Sequence, residues 1–484
     1  MRERVILAAA LVIAAILRFV DLAGSGYWRD EVFSVELVRM PFERMLDAIP
    51  KTEGTPPVYY VVGWLWSRLF GSTEVGLRSL SALVGVLAVL AVYLAAERLF
   101  TRRTAAVAAL LAATSPLLVW YGQEARSYEL GIFTVSVSLA AFAQVWARGV
   151  SPLPIGIWAT AAALGIATHY FIVFVVVPEA LWLLWLAWSR RSGLRIVTAG
   201  LGAVAASGLA LIPLVRAQQG NPGWIAARPL GRRTLEVVSE FLAGPQPAVA
   251  IVAAPLSLVC IAALAILARR APRHEWSTAA VLASVGAAAV LVPLALALGG
   301  VDFFLARNVI FAWPALAIAL AAGLGSTSGG RLGAAALATA LALNIAVVVA
   351  TAGQPKYGRE DWRAVAANLG PANVARAFVV SPLEGAKAFE YYRLAAHAFA
   401  RGVAKVREVD VVGLATSRHG VGDNPVPPRA ATPPRLPGFR LALSERRTYY
   451  TIYRLRATHL ETVTAAQLGR LALTSPYELE RERG

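Results

Sequence analysis

The sequence predicts a polytopic α-helical membrane protein that ends in a small α/β domain. Three observations predict it. Hydrophobic residues fill 57% of 484 positions and charged residues only 15%, more apolar surface than a soluble chain of this length can use. The apolar runs are rich in Ala, Leu and Val and recur at spacings of about 25 residues, as bilayer-length helices would. After residue 352 the pattern changes to short alternating stretches separated by polar and proline-rich segments.

Charge narrows the class. The formal net charge is +17. On a soluble chain this would suggest a nucleic-acid partner. Here most of the surplus sits in short loops between apolar runs, where Lys and Arg act as topology signals, so no nucleic acid is expected. Membrane lipids, as anionic headgroups or a phosphorylated lipid, are the polyanions that suit it. The single cysteine, Cys260, lies inside an apolar run and rules out an intrachain disulfide.

Eleven spans are expected, at 5–22, 77–97, 105–121, 128–147, 154–168, 171–188, 195–216, 248–268, 277–298, 308–326 and 332–351. The first lacks a small-residue cleavage site followed by a soluble domain and reads as a retained helix. The fifth and sixth are nearly continuous, so a tight turn near His169 must part them. One set of loops is basic: Arg2 and Arg4; Arg98, Arg102 and Arg103; Arg148; Arg190, Arg191 and Arg195; Arg269, Arg270 and Arg273; Arg331. By the positive-inside rule that side is cytoplasmic, which puts the N-terminus inside and the tail outside.

This orientation decides residues 57–70. At about 1.5 Å per residue they reach about 21 Å, short of a ~30 Å core, and a span there would send the basic loop 98–104 outside. They read as an interfacial helix anchored by Trp64 and Trp66, within an outer layer over residues 23–76. Residues 217–247 and 299–308 form further outer loops. The expected domains are a transmembrane domain, 1–352, and an extracytoplasmic α/β domain, 353–484. In the latter, strands are expected near 377–382 and 448–455, helices near 358–369 and 385–399, and a proline-rich loop at 420–438.

The outer span ends collect Asp30, Glu31, Glu53, Glu124, Arg126, Tyr128, His169, Asp302, Arg307 and Asn308, while the inner ends carry almost only arginine. Ionisable groups at membrane depth are costly and mark function, so this asymmetry points to a site on the outer face. In Tyr27-Trp-Arg-Asp30-Glu31, Asp30 reads as the general base of an inverting sugar transfer, or as part of a solvated loop with Arg29 pairing Glu31. In Gly122-Gln-Glu-Ala-Arg-Ser-Tyr-Glu129, Arg126 suits bidentate grip of a phosphate, with Tyr128 beside it; the alternative is an interfacial anchor paired with Glu124 or Glu129. Arg307 reads as a second phosphate ligand or a snorkelling arginine. His169 reads as a phosphate or metal ligand, or as a helix-end hydrogen bonder. Trp28, Tyr59, Tyr60 and Trp224 offer faces to a sugar, and an aromatic belt explains them equally. There is no nucleotide-binding glycine loop, no Walker sequence and no His/Cys set with zinc spacing.

These residues, in this order, resemble a family. Trp28-Arg-Asp30-Glu31 after a first span, then Thr55-Pro-Pro-Val-Tyr-Tyr60, Leu77-Arg-Ser-Leu-Ser-Ala82, Ser115-Pro-Leu-Leu and Glu124-Ala-Arg126-Ser-Tyr128 look like the bacterial relatives of protein O-mannosyltransferases and lipid A aminoarabinose transferases. Asp361-Trp362-Arg363 is similar to the opening of their outer domain. The resemblance implies a GT-C fold, a polyprenyl-phosphate-linked sugar donor, inversion at the anomeric centre, and work on the extracytoplasmic side of the bacterial plasma membrane. It implies Asp30 as base or acceptor-positioning carboxylate with Glu31 beside it. Arg126, Tyr128 and Arg307 would lie near the donor phosphate, with Glu124, His169 and Tyr59 as further donor-side candidates. Relatives often carry His or Lys before the proline pair; Thr55 stands here, which removes a cation that Arg126 or Arg307 would have to replace.

The acceptor class stays open among lipid, glycan and protein. No cofactor is required, and the carboxylate-rich outer face allows a divalent metal without demanding one. A flippase or transporter for lipid-linked sugars predicts mid-membrane charge and repeated halves; the mid-span regions here are nearly free of charge and no repeat is visible. A non-catalytic assembly subunit with the same fold is the other alternative.

Overall fold

A computed structural model describes residues 2–218, 223–245, 250–326, 329–353, 360–371, 373–393, 396–399, 402–415 and 426–482. The chain divides into two compact units, Met1–Leu22 with Ser34–Ala350, and Ala23–Phe33 with Thr351–His419 and Asp423–Gly484.

Helices follow the apolar runs in order. α1 is Arg2–Phe19; α2, α3 and α4 are Arg29–Arg39, Phe42–Thr52 and Val58–Phe70; α5 is Glu74–Leu99. α6 (Arg102–Thr114) and α7 (Pro116–Gly122) meet at a bend of 56°. α8 (Tyr128–Arg148) and α9 (Pro152–Ile166) precede a 3-10 turn at Tyr170–Ile172 that leads into α10 (Val173–Ser189). α11 to α14 are Leu194–Ala210, Ile212–Ala217, Gly223–Ala226 and Leu230–Ala243. α15 to α19 are Ala250–Arg270, Arg273–Leu298, Ala306–Val309, Trp313–Gly325 and Gly330–Gly353.

The described part of every expected span overlaps helix, with 105–121 falling across the bent pair α6–α7, 195–216 across α11 and α12, and 308–326 across α17 and α18. Among the described residues eight are long and apolar enough to cross a membrane, and nine if the bent pair α6–α7 is one span. α9 is a shorter apolar helix, and α1 carries charge at both ends. Helix starts have local causes: the Thr73 and Thr101 hydroxyls accept the amides of Gly76 and Thr104. Gly149, at φ +93°, ends α8 with a conformation other residues avoid. α4 has 13 residues, about 20 Å, the short helix expected over 57–70. The turn near His169 is present between α9 and the 3-10 turn.

The helical core is built by α5 against α8 and α6, α8 against α9, α1 against α6, and α18 against α6, α15 and α16. Small residues let backbones approach: a methyl at Gly323 would lie 2.0 Å from the Ala263 carbonyl oxygen. A second cluster packs Leu37, Met45, Ile49, Tyr59 and Tyr60 on Leu80, Val84 and Leu130, so α3 and α4 cover α5 and α8. One mid-span charge departs from the sequence reading. Glu179 in α10 is fully buried, and its oxygens accept from Trp158 Nε1 (2.8 Å) and Ser138 Oγ (3.2 Å), which accounts for a carboxyl group at that depth.

The second unit holds a six-stranded sheet. Its strands are β1 (Arg376–Ser381), β2 (His397–Ala398), β3 (Val403–Leu414), β4 (Arg440–Arg446), β5 (Tyr450–Thr464) and β6 (Glu478–Glu482), in the order β2-β6-β1-β3-β5-β4. Only β1 and β3 pair in parallel among these neighbours. The helices are α20 (Trp362–Leu369), α21 (Ala386–Tyr392) and α22 (Ala465–Gly469). The expected strands correspond to β1 and to part of β5. The expected helix 385–399 is shorter than the sequence suggested, and β2 follows it; the other ends of the expected helix 358–369 and of the proline-rich loop lie partly outside the described residues.

Charge pairs run through the interior of this unit. Arg376 and Arg454 both bridge Glu408 and Asp410, and both donate to the Leu369 carbonyl at the end of α20. Arg393 pairs with Glu482 and donates to Gly370 O. Three guanidiniums thus serve the carbonyls that α20 leaves unpaired at its C-terminus. Residues 23–33 belong to this unit too: Asp361 Oδ1 caps α20 through Ala364 N and also accepts from Gly26 N, each at 3.1 Å. Tyr27 N donates to the Tyr392 hydroxyl.

Glu480 on β6 is fully buried and neither of its oxygens has a hydrogen-bond partner among the described residues. Burial, with the charges of Glu390 and Glu478, pushes its carboxyl up to about 9. A raised folded-state value means that its contribution to stability is whole below about pH 4.5 and is lost as pH rises through about 9. The thermal unfolding midpoint of the intact protein in detergent is therefore expected to fall from pH 6 to pH 9. Glu480→Gln should raise the midpoint at pH 9 by at least about 4 °C and flatten the trend; equal pH slopes in the two proteins would refute this.

Candidate functional site

The segment between α7 and α8 is a tight turn in which Arg126 N donates to Glu124 O (2.8 Å). It aims the Arg126 side chain into the first unit, where it is 9% exposed. There the guanidinium meets Glu53 face to face, Nη1 to Oε1 and Nη2 to Oε2, both at 3.1 Å, and Nη1 also donates to Ser34 Oγ (3.2 Å). This is the planar two-pronged grip of a carboxylate that the same group would apply to a phosphate. The sequence offered Glu124 and Glu129 as partners; Glu53 is 73 residues away and had no assigned role.

Glu53 is fixed from several sides. It ends α3, its amide bonded to Ile49 O. Tyr60 shares a hydrogen bond with Thr55 Oγ1 (2.9 Å), and the Glu53 carboxylate acts on the same phenol. Burial, above all, holds the Tyr60 phenol well above its usual value, so it remains a neutral donor. Thr55 therefore serves this network as a hydroxyl. Gln218, which the sequence did not single out, ties the same loop down: Nε2 donates to Thr55 O (3.0 Å) and Ile49 O (3.4 Å), and Oε1 accepts from the Tyr170 hydroxyl (2.6 Å).

Aromatic rings gather on His169 and Tyr128. Tyr128 lies against Tyr121 and His169, with ring centroids 4.7 and 5.8 Å apart, and Phe311 stands 4.8 Å from His169. His169 caps the 3-10 turn, Nδ1 accepting from Phe171 N (3.4 Å). Burial, with the charges of Arg126 and Arg307, pushes its imidazole down to about 3. His169 is thus neutral at physiological pH. It brings no charge to a phosphate, and both guanidiniums act on one ring. Arg307, at the start of α17, also lies over the Trp224 ring, 5.5 Å from its centroid. The loop before it is clamped by Arg233, whose Nη1 and Nη2 hold Asp302 at 2.7 and 2.5 Å while Nη1 also serves Phe304 O. Those bonds hold the Asp302 carboxyl below the usual carboxylate range. Glu124 is buried, and Tyr59 is buried with its ring edge-on to Tyr60 at 5.5 Å.

Asp30 and Glu31 belong to the second unit. The sequence placed them in a loop; they form the first turn of α2, where two carboxylates suit the positive end of the helix. Glu31 is fully buried and accepts from Trp28 N (3.3 Å). Arg29 Nε pairs with Asp30 Oδ1 (3.3 Å), whereas the sequence reading paired it with Glu31. Asp30 keeps some solvent access, its side chain 16% exposed. Among the described residues no three His, Cys, Asp or Glu side chains stand so as to hold a metal ion.

Comparison with known proteins bears on the fold. The crystal structure of ArnT from Cupriavidus metallidurans bound to undecaprenyl phosphate superposes with a TM-score of 0.55 over 93% of this chain and 97% of that one, at 12% identity. The chain has the GT-C fold. Residues 54–214 match the family model for dolichyl-phosphate-mannose-protein mannosyltransferase. That stretch includes Thr55, Tyr59, Arg126, Tyr128 and His169. An Archaeoglobus fulgidus oligosaccharyltransferase, solved with Zn and sulfate, matches at a TM-score of 0.49 and 17% identity over 80% of this chain and 56% of its own. The Saccharomyces cerevisiae Pmt1-Pmt2 complex bound to the sugar donor matches at 0.37 and 16% over 48% and 36%. The chain thus spans about a third of the yeast chain and under two thirds of the archaeal one. No curated protein matches the chain by sequence. Within the first unit Tyr128 packs on His169, and the charges of Arg126 and Arg307 both act on that imidazole. Ser34, Gln218 and Arg233 are the additions; Glu53 stood among the ionisable residues at the outer span ends, with no partner assigned to it.

Proposed function

We propose that the protein is an inverting membrane glycosyltransferase that moves a sugar from a polyprenyl-phosphate carrier to an acceptor hydroxyl on the outer face of a bacterial plasma membrane. On this reading the N-terminus is cytoplasmic and the C-terminal domain extracytoplasmic. The observation that carries the reading is the buried guanidinium of Arg126, held in planar two-point contact with Glu53, whose charge and that of Arg307 act on the neutral His169 that packs against Tyr128. A lipid phosphate is the anion that two cations at the ends of membrane-length helices suit, and its polyprenyl tail suits the apolar helices.

In the reaction the acceptor hydroxyl gives its proton to the Asp30 carboxylate while its oxygen attacks the anomeric carbon. The bond from that carbon to the phosphate oxygen breaks, and polyprenyl phosphate leaves with the electron pair. Arg126 and Arg307 stabilise the charge that grows on it. Attack opposite the leaving group inverts the centre. The negative charge that Asp30 loses on taking the proton reappears on the departing phosphate, so proton and charge balance.

Incubation of the purified protein with polyprenyl-phosphate sugars and a panel of lipid, glycan and peptide acceptors is expected to release polyprenyl phosphate. A flippase or a non-catalytic subunit would release none, and absence of release with every pair would end the enzymatic reading.

A further inference from the structure

A helix broken inside an apolar bundle leaves main-chain carbonyls without donors, and no bulk water is there to take them. At the bend between α6 and α7 the loss is specific. Ala112 O would normally receive the amide of residue 116, which is proline and has none. Ala113 O would receive the amide of Leu117, which belongs to α7 beyond the bend.

Arg18, in the last turn of α1, supplies what is missing. Its Nη2 donates to Ala112 O (3.0 Å) and its Nη1 to Ala113 O (3.1 Å), and the residue is fully buried. Two glycines leave it room: a methyl at Gly85 would lie 2.7 Å from Arg18 Nε, and one at Gly122 3.0 Å from its Cγ. Glu129 faces the same spot, its Oε2 3.1 Å from the Gly85 methyl position. One residue past α7, Gln123 Nε2 donates to Leu17 O (3.0 Å) and Val20 O (2.9 Å), fastening the far end of α7 to the same stretch of chain. Arg126 follows three residues later.

We propose that Arg18 is a positioning residue for the donor site: by standing in for the absent main-chain donors it holds α7 at its bend and so fixes where Arg126 stands. The catalytic consequence rests on the donor-phosphate reading of Arg126; the structural consequence does not.

Two variants of the full-length protein in detergent test this. In Arg18→Met, amide hydrogen exchange across 117–128 is expected to rise about tenfold or more. The KM for a polyprenyl-phosphate sugar should rise about tenfold, with a smaller change in kcat. Adding Pro116→Ala returns an N–H to the position facing Ala112 O. The double variant should regain thermal stability while its KM stays high, because a straightened helix no longer presents Arg126. Unchanged exchange at 117–128 in Arg18→Met overturns the proposal. So does joint recovery of stability and KM in the double variant, since that is what a packing role alone gives. If the wild-type protein turns over no polyprenyl-phosphate sugar, the functional reading fails, and the exchange comparison still decides whether Arg18 holds the bend.

Discussion

Replacing Asp30 with Asn is expected to abolish sugar transfer, lowering kcat by about 10²–10⁴-fold, with the fold intact. Asparagine keeps the shape of the side chain and an oxygen to receive Arg29 Nε, so the local geometry of the first turn of α2 is retained. The loss of one carboxylate from that turn costs about 0.3–1 kcal/mol of helix stability, too little to unfold the chain. What asparagine lacks is the capacity to take a proton from an acceptor hydroxyl. The donor is bound by other groups on this reading, so its KM should stay within a few fold of wild type. Glu31→Gln is the informative contrast. Glu31 is fully buried and receives the Trp28 amide, so its loss should appear first as a lower unfolding midpoint. Retention of full activity by Asp30→Asn would remove the base from the scheme.

The bundle was legible because membrane helices declare themselves by length and composition. The convergence of Arg126, Tyr128, His169 and Arg307 was legible for a related reason: each sits at a span end, and span ends on one side of a bundle meet. Partner identity was hidden. Arg126 has two glutamates within three residues, yet its guanidinium pairs with Glu53, because the turn after α7 directs it toward the end of α3. The bend itself left a trace in Ser115-Pro116, but the arginine that sustains it lies in α1, 94 positions before the Ala112 carbonyl it serves. The second unit was harder for a different reason. β3 contains Glu408 and Asp410, and β6 reads Glu-Leu-Glu-Arg-Glu, compositions that suggest solvent-exposed loop. Arg376, Arg454 and Arg393 make them interior strands by pairing with Glu408, Asp410 and Glu482. A single sequence does not reveal which arginine will be opposite which carboxylate.

The Arg126–Glu53 pair yields the second large effect. Arg126→Gln removes a planar, permanently charged donor and leaves Glu53 buried without it, a change that typically costs about 3–5 kcal/mol of stability. Donor affinity should fall as well. Charged hydrogen bonds are worth about 1.5–3 kcal/mol, which corresponds to roughly a ten- to hundredfold rise in donor KM. Arg126→Gln combined with Glu53→Gln separates the two effects. Two amides can satisfy one another and Ser34 without a buried charge, so the unfolding midpoint should recover. The phosphate would still lack its guanidinium, so KM should stay high. Arg126→Lys keeps the charge but presents a point donor where the geometry calls for a fork, and is expected to fall between wild type and the glutamine variant in KM. Measurement of unfolding midpoint and donor KM across these three proteins gives a pattern that a purely structural ion pair cannot produce. Were the double glutamine variant to bind donor as wild type does, Arg126 would be a strut of the bundle and the phosphate would have to be held by Arg307 without it.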